Sequence, residues 1–178
     1  MKKILLMVIV TVMTTMNVNA QEEWKNEVSI AYGVGSNTDI IGSFYKGVFT
    51  GKQLNYWGPI SLEYFRRLES SNRLGIGAVA TLSGCKWDDE NNAKSTFISI
   101  MPAVKYNWSV GKHVSWYSKA AFGLHIAADS GSKDDKTKLG VNWQATFVGV
   151  EFGSAFRVFA ELGTGEQGIF LGGLRYKF

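Results

Sequence analysis

Hydrophobic and polar residues alternate along most of this chain with a period of two. The last nine residues, 170–178, carry an aromatic, aliphatic or glycine residue at every second position, whereas Arg175 and Lys177 lie on the opposite face. Such alternation is typical of a β-strand with one apolar and one polar face. We interpret residues 170–178 as the closing strand of an outer-membrane β-barrel, and Tyr176 and Phe178 as its assembly signal.

The same alternation recurs in seven earlier segments, which gives eight predicted strands in total. Their apolar faces run through residues 28–34, 60–64, 74–82, 98–108, 114–124, 141–147 and 156–162. Strands of about ten residues suit a tilted crossing of a membrane, and an even strand number is usual for single-chain outer-membrane barrels. The pattern therefore predicts an all-β fold, an eight-stranded antiparallel transmembrane β-barrel.

The predicted connections alternate between long and short, which supports the barrel independently. The long ones span residues 36–55, 84–94 and 127–139, and the short ones span residues 69–72, 109–112 and 153–155. Longer outer loops and short periplasmic turns are the expected asymmetry of such barrels. The last connection, residues 164–167, departs from this rule because it is short although it belongs to the outer side.

The first long connection interrupts the period of two. Within residues 38–50, the apolar residues Ile40, Phe44 and Val48 follow one another at a spacing of four, as on one face of a short amphipathic helix. Two glycines in the segment each weaken a helix by roughly 1 kcal/mol relative to alanine. Two interpretations stay open, an amphipathic helix and a loop that packs its own apolar groups.

The first twenty residues predict a secretory signal peptide. Lys2 and Lys3 precede a short apolar run, and small or medium residues lead up to Ala20, the predicted cleavage position. The apolar run is too short to cross a hydrocarbon core about 30 Å thick. We therefore expect a cleaved signal peptide over residues 1–20, a barrel domain over residues 21–178, and localisation in the cell outer membrane.

Charge and cysteine content exclude several kinds of protein. Without Lys2 and Lys3, seventeen basic residues stand against fifteen acidic ones, and this near-balance argues against nucleic acid as a partner. The single cysteine, Cys85, excludes an intrachain disulfide. Two histidines and one cysteine without ligand spacing do not indicate a metal site, and we predict no cofactor.

Several charged residues fall on the polar faces of the predicted strands and are expected to point into the barrel lumen. The predicted lumen charge network consists of Glu63, Lys105, Lys119, Arg157, Glu161 and Arg175, with Lys177 as a further candidate. The interior of an eight-stranded barrel is just wide enough to be filled by side chains. Because an unpaired buried charge costs several kcal/mol, we favour a paired structural network over an ion-selective or ligand-binding lumen. A narrow channel is an alternative function.

One histidine could support catalysis. His125 lies near the outer end of the fifth predicted strand, on the lumen side, and Asp129 could orient its imidazole. The candidate nucleophiles nearby are Ser83, Ser130 and Ser132. A serine beside a histidine supports acyl transfer, so a lipid A-modifying hydrolase or acyltransferase is a further alternative function. Serines are common in any loop, however, and we predict a non-enzymatic protein without catalytic residues.

Five short motifs are more specific than alternation alone. They are Gly58-Pro-Ile-Ser-Leu-Glu-Tyr64, Ile100-Met-Pro-Ala-Val-Lys-Tyr-Asn-Trp108, Phe159-Ala-Glu-Leu-Gly163, Gly165-Glu-Gln-Gly168 and Gly172-Gly-Leu-Arg-Tyr-Lys-Phe178. In these motifs the chain resembles small outer-membrane β-barrel proteins of Bacteroidetes-type bacteria. The resemblance covers nearly the whole chain after the signal peptide and implies the small single-chain barrel fold. It implies no assigned activity, and it makes the region of Glu161, Glu166 and Gln167 the first place to look for a site.

The expected role is structural or interactive, with the outer loops as the contact surface. The expected partners are outer-membrane lipid and lipopolysaccharide, and the barrel-assembly machinery, which would meet the C-terminal strand. An external partner is also expected, and the sequence does not identify it.

Overall fold

The computed structural model of the protein describes residues 24–37, 40, 54–69, 71–87, 94–111, 113–130 and 137–178. The predicted signal peptide lies outside these ranges, and so does the predicted helix over residues 38–50, apart from Ile40. Within the described ranges, no helix is long and apolar enough to cross a membrane.

Eight strands form almost all of the described chain. They are β1 (Asn26–Val34), β2 (Leu54–Leu68), β3 (Ser71–Trp87), β4 (Lys94–Val110), β5 (Val114–Ser130), β6 (Thr137–Gly153), β7 (Phe156–Gly165) and β8 (Phe170–Lys177). Each strand pairs with the next one in the chain, and β8 pairs antiparallel with β1, which closes the barrel. The predicted all-β, eight-stranded antiparallel barrel is confirmed.

The two ends of the barrel differ. At one end, which we call the turn end, short connections join β2 to β3, β4 to β5 and β6 to β7. β1 begins and β8 ends there too, and the amide of Asn26 donates to the carbonyl of Phe178 at 2.8 Å. We call the opposite end the loop end, because the longer connections leave the barrel from it.

The strands are unequal, and several extend further at the loop end than the sequence predicts. β3, β4, β5 and β6 have seventeen residues each, whereas β1, β7 and β8 have nine, ten and eight. The predicted connections over residues 84–94 and 127–139 are therefore too long, since pairing continues to Trp87 in β3 and to Ser130 in β5. Polar residues are frequent in these extensions, and a hydrophobic pattern does not detect strands there.

The unequal lengths leave strand edges unpaired at the loop end. Pairing of β6 with β7 begins at Gln144, which faces Gly165. Residues 137–142 of β6 are therefore paired on the β5 side alone within the described chain, since the backbone contact on the other side begins where the Glu166 amide donates to the Trp143 carbonyl at 2.9 Å. An unpaired strand edge presents a row of free amide and carbonyl groups to its surroundings.

Large apolar side chains cover the outside of the barrel. Leu62, Ile100 and Phe122, on three different strands, are 57%, 63% and 61% exposed. Trp108 and Trp116 are exposed near the turn end. Water-soluble monomers rarely expose contiguous apolar patches larger than a few hundred Å². The surface instead has the apolar band and flanking aromatic residues of barrels that face lipid.

A β-bulge in β6 changes which side chains face the lumen. Up to Thr146 the even-numbered residues of β6 face inward, but the register with β7 shifts between Thr146 and Val148. Beyond the shift, odd-numbered residues face inward, and Glu151 is fully buried. One extra residue in one strand reverses the alternation in this way.

Candidate functional site

In the part of the chain that the structure describes, the barrel lumen contains ten buried charged side chains, and together they form the candidate site. Five are acidic and five are basic, so the charges described inside the barrel balance. They are Glu27, Glu63, Glu151, Glu161, Glu166, Lys105, Lys119, Arg157, Arg175 and Lys177. We call this set the lumen charge network. Nine of them lie on the inner faces of the strands, where barrel closure brings them into contact, whereas Glu166 lies in the connection between β7 and β8.

Glu63, on β2, is the first of two acidic centres. One carboxylate oxygen pairs with the Lys119 ammonium and accepts a hydrogen bond from Gln167 Nε2 at 2.8 Å. The other oxygen accepts from Arg175 Nη2 at 3.0 Å and from Ser29 Oγ at 2.9 Å. A buried carboxylate is tolerated only when such partners replace its water shell.

Glu151, on β6, is the second acidic centre. Its Oε2 accepts from Arg175 Nη1 at 2.7 Å and from Lys105 Nζ at 3.3 Å. Its Oε1 accepts from Arg157 Nη1 at 3.3 Å and also pairs with the Lys177 ammonium. Four basic side chains therefore converge on this one fully buried carboxylate.

Arg175, on β8, joins the two centres. One terminal nitrogen donates to Glu63 and the other donates to Glu151. The guanidinium carbon also lies 4.3 Å from the ring centre of Phe159 and 4.9 Å from that of Tyr117. A planar guanidinium can bind two carboxylates and stack on rings at the same time, whereas a lysine ammonium cannot.

Tyr117 occupies the middle of the lumen. Its hydroxyl donates to Glu161 Oε1 at 2.7 Å, and Lys105 Nζ lies 4.1 Å from its ring centre. Gly149 is the register partner of Tyr117 on β6. A Cβ atom at Gly149 would lie 2.4 Å from Cζ of the tyrosine ring. The glycine therefore leaves the space that the ring fills.

The two other carboxylates that touch the network's lysines are also paired. Glu161 contacts the Lys119 ammonium at 2.8 Å. Glu27 contacts the ammonium of Lys105 at 2.6 Å and that of Lys177 at 3.5 Å. Each of these charges has an opposite charge in contact. The ion pairs therefore offset the free-energy cost of removing the charged groups from water.

The connection between β7 and β8 folds into the lumen. Glu166 and Gln167 are fully buried, and Asn142 Nδ2 donates to Glu166 Oε2 at 2.7 Å. The amide of Gln167 donates to Gln144 Oε1 at 2.7 Å. A Cβ atom at Gly33 would lie 1.8 Å from the Gln167 carbonyl oxygen, so this approach requires a glycine. The sequence predicts a short outer turn here and does not predict its inward course.

The structure brings all six predicted lumen residues, and Lys177 with them, into one network. It adds Glu27 and Glu151, which were not predicted, and Glu166, which the family resemblance indicated as a place to look for a site. Glu27 continues the inward alternation of Ser29 and Ala31, so the pattern contained its signal. Glu151 lies beyond the β6 bulge, and alternation alone places it on the wrong face.

Little space remains between these side chains at the turn end of the lumen. A pocket lined by Phe65, Lys105 and Asn107, among others, has a volume of about 10 Å³. This is about the space that one water molecule needs. The Asn107 side-chain oxygen is buried and has no hydrogen-bond partner among the described residues, so one water there would satisfy it.

The structure places His125 beside Ser99, which is not one of the predicted candidate nucleophiles. Its Nδ1 lies 3.2 Å from Ser99 Oγ, and its ring stacks on Phe97 with ring centres 5.5 Å apart. Ser99 is completely buried and faces the lumen, away from any substrate in the membrane. The buried hydroxyl of Ser83 has no hydrogen-bond partner among the described residues. The side chains of Asp129 and the other candidate serines lie outside the described part.

Tyr176 and Phe178 lie on the outer face at the turn end. Their rings stack, with centres 5.8 Å apart. Phe178 closes the barrel through its backbone, since its amide donates to the Asn26 carbonyl at 2.9 Å. Within the described ranges, no group of three or more histidine, cysteine or acidic residues is placed to hold a metal ion.

Comparisons with known proteins show the fold. No protein-family model matches the chain, and no curated protein sequence matches it. Neisserial surface protein A is similar in structure, with a TM-score of 0.51 at 12% identity over 88% of this chain and 98% of that one. This likeness supports the eight-stranded barrel fold that strand pairing already shows.

Two further solved structures are similar at slightly lower scores. The attachment invasion locus protein Ail of Yersinia pestis has a TM-score of 0.49 at 14% identity over 88% of this chain and all of that one. The N-terminal β-barrel domain of Pseudomonas aeruginosa OprF has a TM-score of 0.48 at 14% identity over 87% of this chain and 98% of that one.

Proposed function

We propose that the protein is an integral outer-membrane β-barrel with a structural or surface-interaction role. The observation that carries the proposal is the polarity of the barrel, with an apolar outside and ten buried charges inside. Lipid accepts such an exterior, and a closed barrel leaves no backbone groups unpaired within the hydrocarbon region. In this placement the turn end faces the periplasm and the loop end faces outward, because periplasmic turns are the short ones.

The lumen charge network supports a structural interior rather than a channel. Arg175 ties β8 to β2 and β6 through Glu63 and Glu151, so the network crosses the lumen from wall to wall. An ion passing through would have to break several buried ion pairs, each of which is costly to separate in a medium of low dielectric constant.

The loop end supplies the contact surface. The extended strands β3 to β6 project beyond the ends of β1, β7 and β8, and residues 137–142 of β6 carry a free edge among the described residues. Leu139 and Val141 on this segment are 70% and 69% exposed. An extended segment of a partner can add to such an edge through backbone hydrogen bonds, with side-chain contacts adding selectivity.

Several finer features remain predictions. They are cleavage after Ala20, recognition of Tyr176 and Phe178 by the barrel-assembly machinery, contact with lipopolysaccharide, and membership of the Bacteroidetes-type family.

The test is folding of the mature chain into lipid vesicles, followed by gel electrophoresis of boiled and unboiled samples and planar-bilayer recording. We expect heat-modifiable migration and no discrete conductance steps. Identical mobility of the two samples would contradict the closed barrel, and reproducible unitary openings would contradict the filled lumen.

A further inference from the structure

One region of the lipid-facing surface departs from the convex outline of the barrel. A groove with a volume of about 910 Å³ crosses β2, β3, β4 and β5 near the turn end. Its lining includes Arg66, Ile76, Pro102, Ala120 and Phe122. The small residues create the depression, because Pro102 and Ala120 lie among larger apolar side chains. At about 30 Å³ per water-sized group, the volume corresponds to on the order of thirty methylene-sized groups.

Arg66 gives the groove a charged end. It is exposed on the outer face of β2, where its register partners are Asn26 and Ile76. Its guanidinium forms no ion pair or hydrogen bond among the described residues. Lys25, which is exposed at the same end, is paired with Glu69 at 3.3 Å. Arg66 is therefore a cation at the membrane boundary that the described protein leaves available to an anion.

The groove lies within the membrane leaflet next to the turn end. Phe122, at its far end, lies six residues along β5 from Trp116, which is exposed near the turn end. Six residues of a strand tilted by about 40° rise about 16 Å along the membrane normal. That is roughly half of a hydrocarbon core about 30 Å thick. The residues that line the groove therefore lie between the periplasmic boundary, near Arg66, and about the middle of the membrane.

We propose that this groove binds one anionic glycerophospholipid of the periplasmic leaflet, with the lipid phosphate on Arg66 and its acyl chains along the depression. The inference rests on the membrane placement proposed above. The position of Arg66 at the turn end excludes a lipid anchored in the outer leaflet, since a headgroup there would lie at the opposite membrane boundary. A guanidinium binds phosphate oxygens with two parallel hydrogen bonds, which suits this role.

The test is native mass spectrometry of the barrel, folded in a neutral detergent and incubated with phosphatidylglycerol or phosphatidylcholine of identical acyl chains. We expect one retained phosphatidylglycerol and weaker retention of phosphatidylcholine. Arg66→Gln lowers phosphatidylglycerol retention about fivefold, equivalent to about 1 kcal/mol for one basic residue at a membrane surface, and removes the preference between the lipids. Arg73→Gln, a change of an exposed arginine outside the groove, leaves both lipids unaffected.

A second variant tests whether the acyl chains of the lipid occupy the groove. Ala120→Phe fills the groove and reduces retention of both lipids without changing their ratio. Ala160→Phe, at a lipid-facing position on β7 outside the groove, is the matched control and leaves retention unchanged.

Three results would overturn the lipid site. They are equal retention of the two lipids by the wild type, equal losses in Arg66→Gln and Arg73→Gln, and a dimer in the wild type that Ala120→Phe dissociates, since the groove would then hold a second copy. Heat-modifiable migration of each sample is recorded in parallel. A chain that never shows it contradicts the membrane barrel itself, whereas a folded barrel without lipid selectivity contradicts only the groove.

Discussion

Removal of the Arg175 guanidinium tests the lumen charge network most sharply. Arg175→Met keeps an unbranched apolar stem but deletes the donors to Glu63 at 3.0 Å and to Glu151 at 2.7 Å. The five buried acidic residues would then face four basic ones. Both centres remain buried, so the lost partner cannot be replaced by bulk water.

The expected loss of stability is large. Breaking a buried ion pair by removing one partner costs about 3–5 kcal/mol, because the other charge stays buried without compensation. We therefore expect the free energy of unfolding to fall by about 3–5 kcal/mol in Arg175→Met. Arg73→Met, a change of an exposed arginine, is the control and shifts it by no more than about 0.5 kcal/mol.

A second substitution, Glu63→Gln, restores the balance between acidic and basic charges in the lumen. In Arg175→Met with Glu63→Gln, Lys119 keeps its contact with Glu161 at 2.8 Å. Glu151 keeps its three other basic partners. We expect the double variant to be more stable than the sum of the two single changes predicts, by about 1–3 kcal/mol, as is usual for residues in one network.

The assay is reversible urea unfolding of the barrel in lipid vesicles, followed by tryptophan fluorescence and by heat-modifiable migration. Unfolding of Arg175→Met at the wild-type urea concentration would contradict a stabilising role of the guanidinium. Additive effects of the two substitutions would contradict the network, because the charges would then act independently.

Three further predictions follow from single residues. Gly149→Ala forces its Cβ against the Tyr117 ring and lowers the free energy of unfolding by about 1–3 kcal/mol in the same urea assay. In Gly149→Ala with Tyr117→Leu the clash is absent, so the glycine substitution costs less there than in the wild type, and an equal cost in both would contradict the clash. Gly33→Ala pushes the connection that contains Gln167 out of the lumen. We expect faster proteolysis within residues 164–169, and an unchanged cleavage pattern would contradict this prediction. His125→Ala leaves lipid A acylation unchanged by mass spectrometry, and any change would revive the acyl-transfer alternative.

Residue alternation was sufficient to predict much of the lumen. Arg157 and Glu161 on β7, and Arg175 on β8, lie in regular strands, so a period of two assigns each of them to the inner face. Regular local structure is the condition for this success, because the face of each residue then follows from that of its neighbours.

Other parts depend on contacts that are distant in the sequence. The inward course of Glu166 and Gln167 requires the missing side chain at Gly33, more than a hundred and thirty positions earlier in the chain. Glu151 faces the lumen because β6 gains one residue relative to β7 after Thr146. Neither the bulge in β6 nor the close approach at Gly33 is visible in the hydrophobic pattern of the sequence, so the pattern does not predict them.

The hydrophobic pattern did not predict the loop-end extensions of β3 to β6, and the reason is different. Beyond the apolar band, both faces of a strand meet water or polar loops, and the apolar-polar contrast that marks a strand disappears. Backbone pairing between neighbouring strands continues there, for example between Lys86 of β3 and Lys94 of β4, although apolar and polar residues no longer alternate.

Nitroxide labels on β4 report whether hydrocarbon surrounds this barrel. Single cysteines replace Ile98, Ile100 or Val104 in a Cys85→Ser chain folded into vesicles, with a label at Arg73 as the aqueous reference. If hydrocarbon surrounds β4, collisions with dissolved oxygen exceed those with a water-soluble nickel chelate at the three β4 positions, and the order reverses at Arg73. Nickel accessibility on β4 equal to that at Arg73 would contradict this placement.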